Sequence, residues 1–270
     1  MSSPQNPFPE PELLPVPEAP APVSRILPID PGWGGWEVLQ IVLLTLASVF
    51  VFLPVVAFAA QRLFYPKVAF VEVAGYPLVT VVGQGLAYFV VFAFMFSIVK
   101  RACGQEFSRA IHLNWPKHWT TFLMLGVALS FSLQGVAHFL PIPKELPMDR
   151  FFRTPAEAWA LSLFGVTLAP LFEELFFRGF LYPVLVRWCG VTIGILATAA
   201  AFSLIHAPQL GRAWGPVLVI FIVGLALTIT RAATKSVGAS LLMHMAYNGT
   251  LSVLLFIGTD GFRHLERLNQ

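Results

Sequence analysis

Six side chains are set apart by type and spacing. Glu173, Glu174 and Arg178 lie in LFEELFFRGF, His206 lies in FSLIHAPQL, and His244 and Asn248 lie in LLMHMAYNGT. Each stretch is embedded in a run of Leu, Phe, Val and Ala. Ionisable groups at membrane depth are costly and are usually kept for function. Brought together, these six would supply acid, base and hydrogen-bond donors, a set able to move protons and steady developing charge.

Helical spacing divides the labour among them. Glu174 and Arg178 are four apart, so they share a face and can pair. Pairing removes the cost of two isolated buried charges. Glu173 is turned by about 100° from Glu174 and is free to face something else. Pro170 has no N–H to bond back to the carbonyl of Val166, so a kink there would open space near the carboxylate. Phe202 and His206 share a face of the next segment, and Pro208 ends it. His244 and Asn248 also share a face. They present two donors in a row, as an oxyanion requires in a dry site. Singly, each group has a plainer reading: a structural ion pair, a satisfied core histidine, or an Asn bonding helix to helix. A proton or ion pathway draws on the same residue types.

The elements that must position these groups are membrane helices. Of 270 residues, 57% are hydrophobic and 11% charged, and the mean hydropathy is +0.74. Soluble domains carry roughly a quarter charged residues. The composition therefore implies an integral, multi-pass membrane protein in contact with the lipid bilayer. A net charge of +3 gives no basis for nucleic-acid binding. Spans of about 20 apolar residues are expected near 37–60, 77–99, 119–140, 156–187, 191–207, 214–232 and 237–258. The fourth is long enough to be tilted or broken at Pro170. The expected fold is an all-α polytopic bundle of seven to eight spans around a conical or central intramembrane cavity. The membrane domain is expected over 36–260, with a short polar tail over 261–270. Residues 1–35 are rich in Pro and acidic residues with no signal-peptide pattern, and read as a disordered spacer able to meet a proline-reading partner. The loop carrying Lys100, Arg101, Arg109 and Lys117 is expected on the cytoplasmic side, with the N-terminus. Cys103 and Cys189 read as packing thiols.

Three motifs occur in order on successive apolar segments: Glu173-Glu174-x-x-x-Arg178, Phe202-x-x-x-His206 and His244-x-x-x-Asn248. Over residues 150–258 the chain resembles the CPBP intramembrane endopeptidases, the group of CAAX prenyl proteases and bacteriocin-processing or immunity (ABI) proteins. The resemblance implies proteolysis within the bilayer. Glu173 would polarise a water as general base, and His206 would help to hold it. His244 and Asn248 would stabilise the oxyanion, Glu174 and Arg178 would support the site, and Phe202 would pack beside it. Such proteins were long described as metalloproteases. No H-E-x-x-H helix is present, and if zinc were used, Glu173, His206 and His244 would be its ligands. The donor pair His244/Asn248 favours a metal-independent water activated by glutamate. The expected substrate is a membrane-associated protein or peptide, cut in CAAX-type, bacteriocin-leader or C-terminal-anchor processing. The expected compartment is the cell (inner) membrane in a prokaryote or an endomembrane in a eukaryote. A non-catalytic immunity or scaffold protein and a proton- or ion-coupled transporter are the alternatives.

Overall fold

The computed structural model describes residues 31–143 and 146–269. The expected tail before Pro31 lies outside them. The described chain is helical with no strand: α1 Gly35–Leu63, α2 Phe70–Ala74, α3 Pro77–Cys103, α4 Phe107–Ala110, α5 Trp119–Ala137, α6 Pro155–Val166, α7 Leu168–Glu174, a π-helical turn Leu175–Leu181, α8 Tyr182–His206, α9 Trp214–Thr234 and α10 Val237–Gly258. Short 3₁₀ turns occupy Pro147–Phe151 and Leu265–Asn269.

Among the described residues, six helical stretches are long and apolar enough to cross a membrane, one of them the continuous run Pro155–His206. Their outer faces remain apolar in the folded chain, with Phe50, Phe89 and Phe131 exposed. In water such surface would be a liability, whereas in hydrocarbon it is solvated. The protein is an integral, multi-pass membrane helix bundle.

The long run is not straight. It breaks at Thr167 (φ −116°, ψ −75°), between α6 and α7, rather than at Pro170. Pro170 sits in the first turn of α7, where a missing N–H costs no intrahelical bond. The helix must therefore be interrupted just upstream of it. A second break falls at Gly190 (φ 79°, ψ 172°), a conformation open to glycine. There the chain folds back. A Cβ on Gly194 would stand 3.1 Å from the backbone N of Val186, although eight residues of straight helix span about 12 Å. Segment 191–206, which ends in His206, thus returns along 182–189.

α1 packs along α3, α5 along α10, and α8 against α9. Small residues make the closest of these approaches, as expected where lipid offers no hydrophobic drive for helix association. A Cβ on Gly126 of α5 would collide with the Met243 carbonyl oxygen and lie 2.7 Å from Ala246 Cβ on α10. Gly126→Val is therefore expected to cost about 1–3 kcal/mol by overpacking, read as a lower melting temperature in detergent. An unchanged melt would mean that α5 shifts freely over α10. Ser236 caps α10, accepting from Ala239 N at 3.0 Å and donating to Asn114 O at 2.8 Å. Val237 N donates to His112 O. These bonds fix the start of α10 two turns before His244.

Candidate active site

Three elements converge. α7 and the π turn bring Glu173, Glu174 and Arg178. The returning arm of α8 brings Phe202 and His206, and α10 brings His244 and Asn248.

The supporting layer is dry. Glu174 and Arg178 are fully buried, and Arg178 Nη1 donates to Glu174 Oε1 at 2.7 Å. The other two guanidinium nitrogens each donate to α9: Nη2 to Gly224 O at 3.0 Å and Nε to Thr228 Oγ1 at 3.3 Å. The guanidinium also lies 4.7 Å from the centre of the Phe202 ring. Gly224 is needed for this approach, since a Cβ there would meet Ala199 Cα at 3.1 Å and Phe202 Cδ1 at 3.2 Å. The ion pair is thus hydrogen-bonded on several sides, the condition under which a buried pair is tolerated.

Glu174 Oε1 has a second partner, His244 Nδ1 at 3.0 Å. A carboxylate can only accept, so His244 carries its proton on Nδ1 toward Glu174. His206 Nδ1 is likewise committed, 2.7 Å from the Phe202 carbonyl oxygen. In both rings the other nitrogen, Nε2, turns toward Glu173. His206 Nε2 is 3.8 Å from Glu173 Oε1, and His244 Nε2 is 3.7 Å from Glu173 Oε2. Both distances exceed a direct hydrogen bond. A water can contact the carboxylate and an imidazole together by sitting off the line that joins them. The Phe202 ring separates and orients the histidines, at 4.7 Å from His206 and 5.7 Å from His244. Glu173 and His206 keep 17% and 19% side-chain exposure, whereas His244 keeps 4%. The carboxylate and one imidazole are therefore reachable, and the second imidazole is held from behind.

Asn248 lies one turn beyond His244, and its Nδ2 donates to Gly165 O at 2.7 Å. One of its two N–H groups is used there, leaving the other. Gly165 belongs to the last turn of α6, just before the break at Thr167, so Asn248 ties α10 to that break. All the residues singled out by the motifs therefore gather around a buried His–Glu–Glu cluster.

The contribution of α9 was not anticipated. Gly224, Thr228 and Arg231 are spaced to share one face, and that spacing was the signal available. The π turn was also unforeseen. In its register Tyr182 N donates to Phe177 O, five residues back. Pro183 has no N–H to give Arg178 O, and Arg231 Nε donates to it instead at 3.2 Å. π turns of this kind often mark functional sites.

Glu173, His206 and His244 are the residues that would hold zinc, through one carboxylate and two imidazoles, and a bound zinc would polarise water. Both imidazoles have their second nitrogen anchored, as metal-ligating histidines do. Even so, among the described residues no group of three or more His, Cys, Asp or Glu is arranged to hold a metal ion.

Residues 155–250 match the family model described as "Rce1-like: Type II CAAX prenyl endopeptidase Rce1-like". The matched stretch holds the whole cluster, from Glu173 to Asn248. No curated protein and no solved structure matches the chain. This part of the chain is a CAAX-protease-like intramembrane domain, and its buried His–Glu–Glu cluster is consistent with a hydrolase site.

Proposed function

We propose that the chain is a CPBP-type intramembrane endopeptidase that hydrolyses a peptide bond of a membrane-associated protein or peptide with a water activated by Glu173. One observation carries this reading. A partly accessible carboxylate stands between two imidazole Nε2 atoms, at 3.8 and 3.7 Å, inside the segment that matches the CAAX-protease model.

The chemistry follows from the donors. Glu173 takes a proton from water held against it by His206 Nε2, and the oxygen adds to the substrate carbonyl carbon. His244 already gives its Nδ1–H to Glu174. It can donate through Nε2 only as the imidazolium, and in that form it faces the oxyanion with Glu174 behind it. The second N–H of Asn248 completes the pair. The tetrahedral intermediate collapses as Glu173 returns the proton to the amide nitrogen and the C–N bond breaks. A preorganised donor in such a site is worth roughly a hundred- to thousand-fold in rate. The fold-back at Gly190 we read as separating two crossings, seven in all, with the cluster in the cavity between them. CAAX-type, bacteriocin-leader and C-terminal-anchor processing all fit a peptide presented at the bilayer.

The test compares protein termini in membranes of cells carrying the wild type or Glu173→Gln at matched abundance. Termini that vanish in the variant identify substrate and cut site. An unchanged set, where loss of the gene has a phenotype, would favour a scaffold or transporter instead. The metal question has its own measurement. Purified active protein is expected to hold less than stoichiometric zinc and to keep cleaving after chelation. Stoichiometric zinc, with activity lost on its removal and restored on its return, would make Glu173, His206 and His244 metal ligands.

A further inference from the structure

Against the backbone of Arg178 lies a second cluster with no part in this chemistry. Arg231, near the end of α9, is fully buried, and its Nη1 has no hydrogen-bond partner among the described residues. Its described contacts are Nε to the Arg178 carbonyl oxygen at 3.2 Å and the Tyr182 ring at 6.0 Å. Neither carries negative charge. A buried guanidinium without an anion is expensive, and the cost is offset only by pairing.

Arg231 lines a cavity of about 280 Å³ together with Arg109, His112, Gln105 and the backbone around Gly32 and Gly179. Arg109 lies in α4 and His112 just after it, so cationic side chains reach the cavity from two elements. Burial, and then the charges of Arg231 and Lys235, hold the His112 imidazole below its ordinary range. The surroundings of the cavity are therefore electropositive. Glu106 lines the neighbouring groove, not this cavity. That groove, of about 610 Å³, is floored by Phe92, Phe96, Val99 and Phe107, and Gln105 lines both spaces. A cationic pocket joined to an aromatic groove matches a molecule with an anionic head and an apolar chain.

We propose that this cavity binds a phosphate group, with Arg231 and Arg109 as its charged donors and His112 as a further donor. The adjoining groove favours a membrane phospholipid as the source of that phosphate. Guanidinium donors suit phosphate oxygens because they offer several N–H groups in a planar fork. Since Arg231 bonds to the Arg178 carbonyl oxygen, an occupied cavity also braces the layer beneath the ion pair.

The test is binding, independent of any cleavage assay. Full-length protein in a neutral maltoside detergent is titrated with phosphatidylglycerol, with diacylglycerol bearing the same chains, and with inorganic phosphate against chloride at equal ionic strength. The readout is the melting temperature. Phosphatidylglycerol is expected to raise it saturably, and diacylglycerol is not. The double variant Arg109→Gln/His112→Asn, which keeps Arg231, is expected to weaken the apparent affinity about tenfold or more. Asn tolerates the positive φ of 59° at position 112. Arg231→Met, where it folds, should abolish the shift. A response to inorganic phosphate that depends on the same residues supports the site with a soluble occupant. No shift with either phosphate source, or shifts of equal affinity in the wild type and the double variant, would overturn the proposal.

Discussion

Glu173→Gln is expected to leave the helix bundle intact and to lower cleavage by roughly 10²- to 10⁴-fold, the usual worth of a positioned general base. The two halves of this result have separate origins. Glu173 stands 3.7–3.8 Å from both histidines, beyond hydrogen-bonding distance, and keeps 17% exposure. Neutralising it therefore removes no close ion pair from the packed interior. Glutamine has nearly the same shape, so no cavity forms. The amide cannot accept a proton from water, and the chemical step fails while the water site persists. Folded yield and melting temperature should match the wild type, and the product termini should disappear. If cleavage persists at wild-type rate in Glu173→Gln, the base lies elsewhere. If the variant unfolds, Glu173 is a structural group.

Arg178→Ala should behave in the opposite sense and fail first in folding. Arg178 is fully buried and bonds to Glu174, Gly224 and Thr228, with its guanidinium over Phe202. Removing it leaves the buried Glu174 carboxylate without its cation, with the His244 Nδ1–H still beside it, a loss of about 3–5 kcal/mol for breaking one side of a buried pair. This is a large fraction of typical stability. Folded protein recovered from membranes should fall sharply, and activity with it. The companion variant separates charge from packing. Glu174→Leu/Arg178→Met replaces both partners by apolar groups, which is often close to neutral for stability. It should recover much of the folded yield without recovering activity, because His244 Nδ1 then has no carboxylate to hold it. A double variant as depleted as Arg178→Ala would show that the bonds to α9, rather than the stranded charge, dominate.

Much of the architecture was legible in the chain because membrane helices are local objects. A run of apolar residues must satisfy its own backbone in lipid, so the stretches expected at 77–99, 119–140, 214–232 and 237–258 reappear as α3, α5, α9 and α10 with ends shifted by a few residues. The fourth and fifth stretches are contained in the run Pro155–His206, where the turn between them rests on one glycine at φ 79°. Hydropathy has no term for such a fold-back. The long fourth stretch does break, but at Thr167, because a proline in a helix's first turn displaces the interruption upstream.

The same division runs through the site. Spacing alone allowed Glu174 to meet Arg178, Phe202 to neighbour His206, and His244 to stand over Asn248, since a helix fixes which side chains share a face. Spacing within one helix says nothing about which nitrogen of a histidine meets which carboxylate on another. That His244 spends Nδ1 on Glu174 and turns Nε2 to Glu173, that His206 is anchored on Phe202 O, and that Asn248 gives one N–H to Gly165 O all depend on how separate helices pack. So does Arg231, which from sequence is an ordinary basic residue closing a span. Only the π turn, by leaving the Arg178 carbonyl oxygen without a backbone donor at Pro183, draws it inward. The sequence by itself determined the residue types, their helical faces and the solvent they live in. The tertiary structure decided protonation partners, distances and the burial of Arg231, because each of these is a relation between elements that no single element contains.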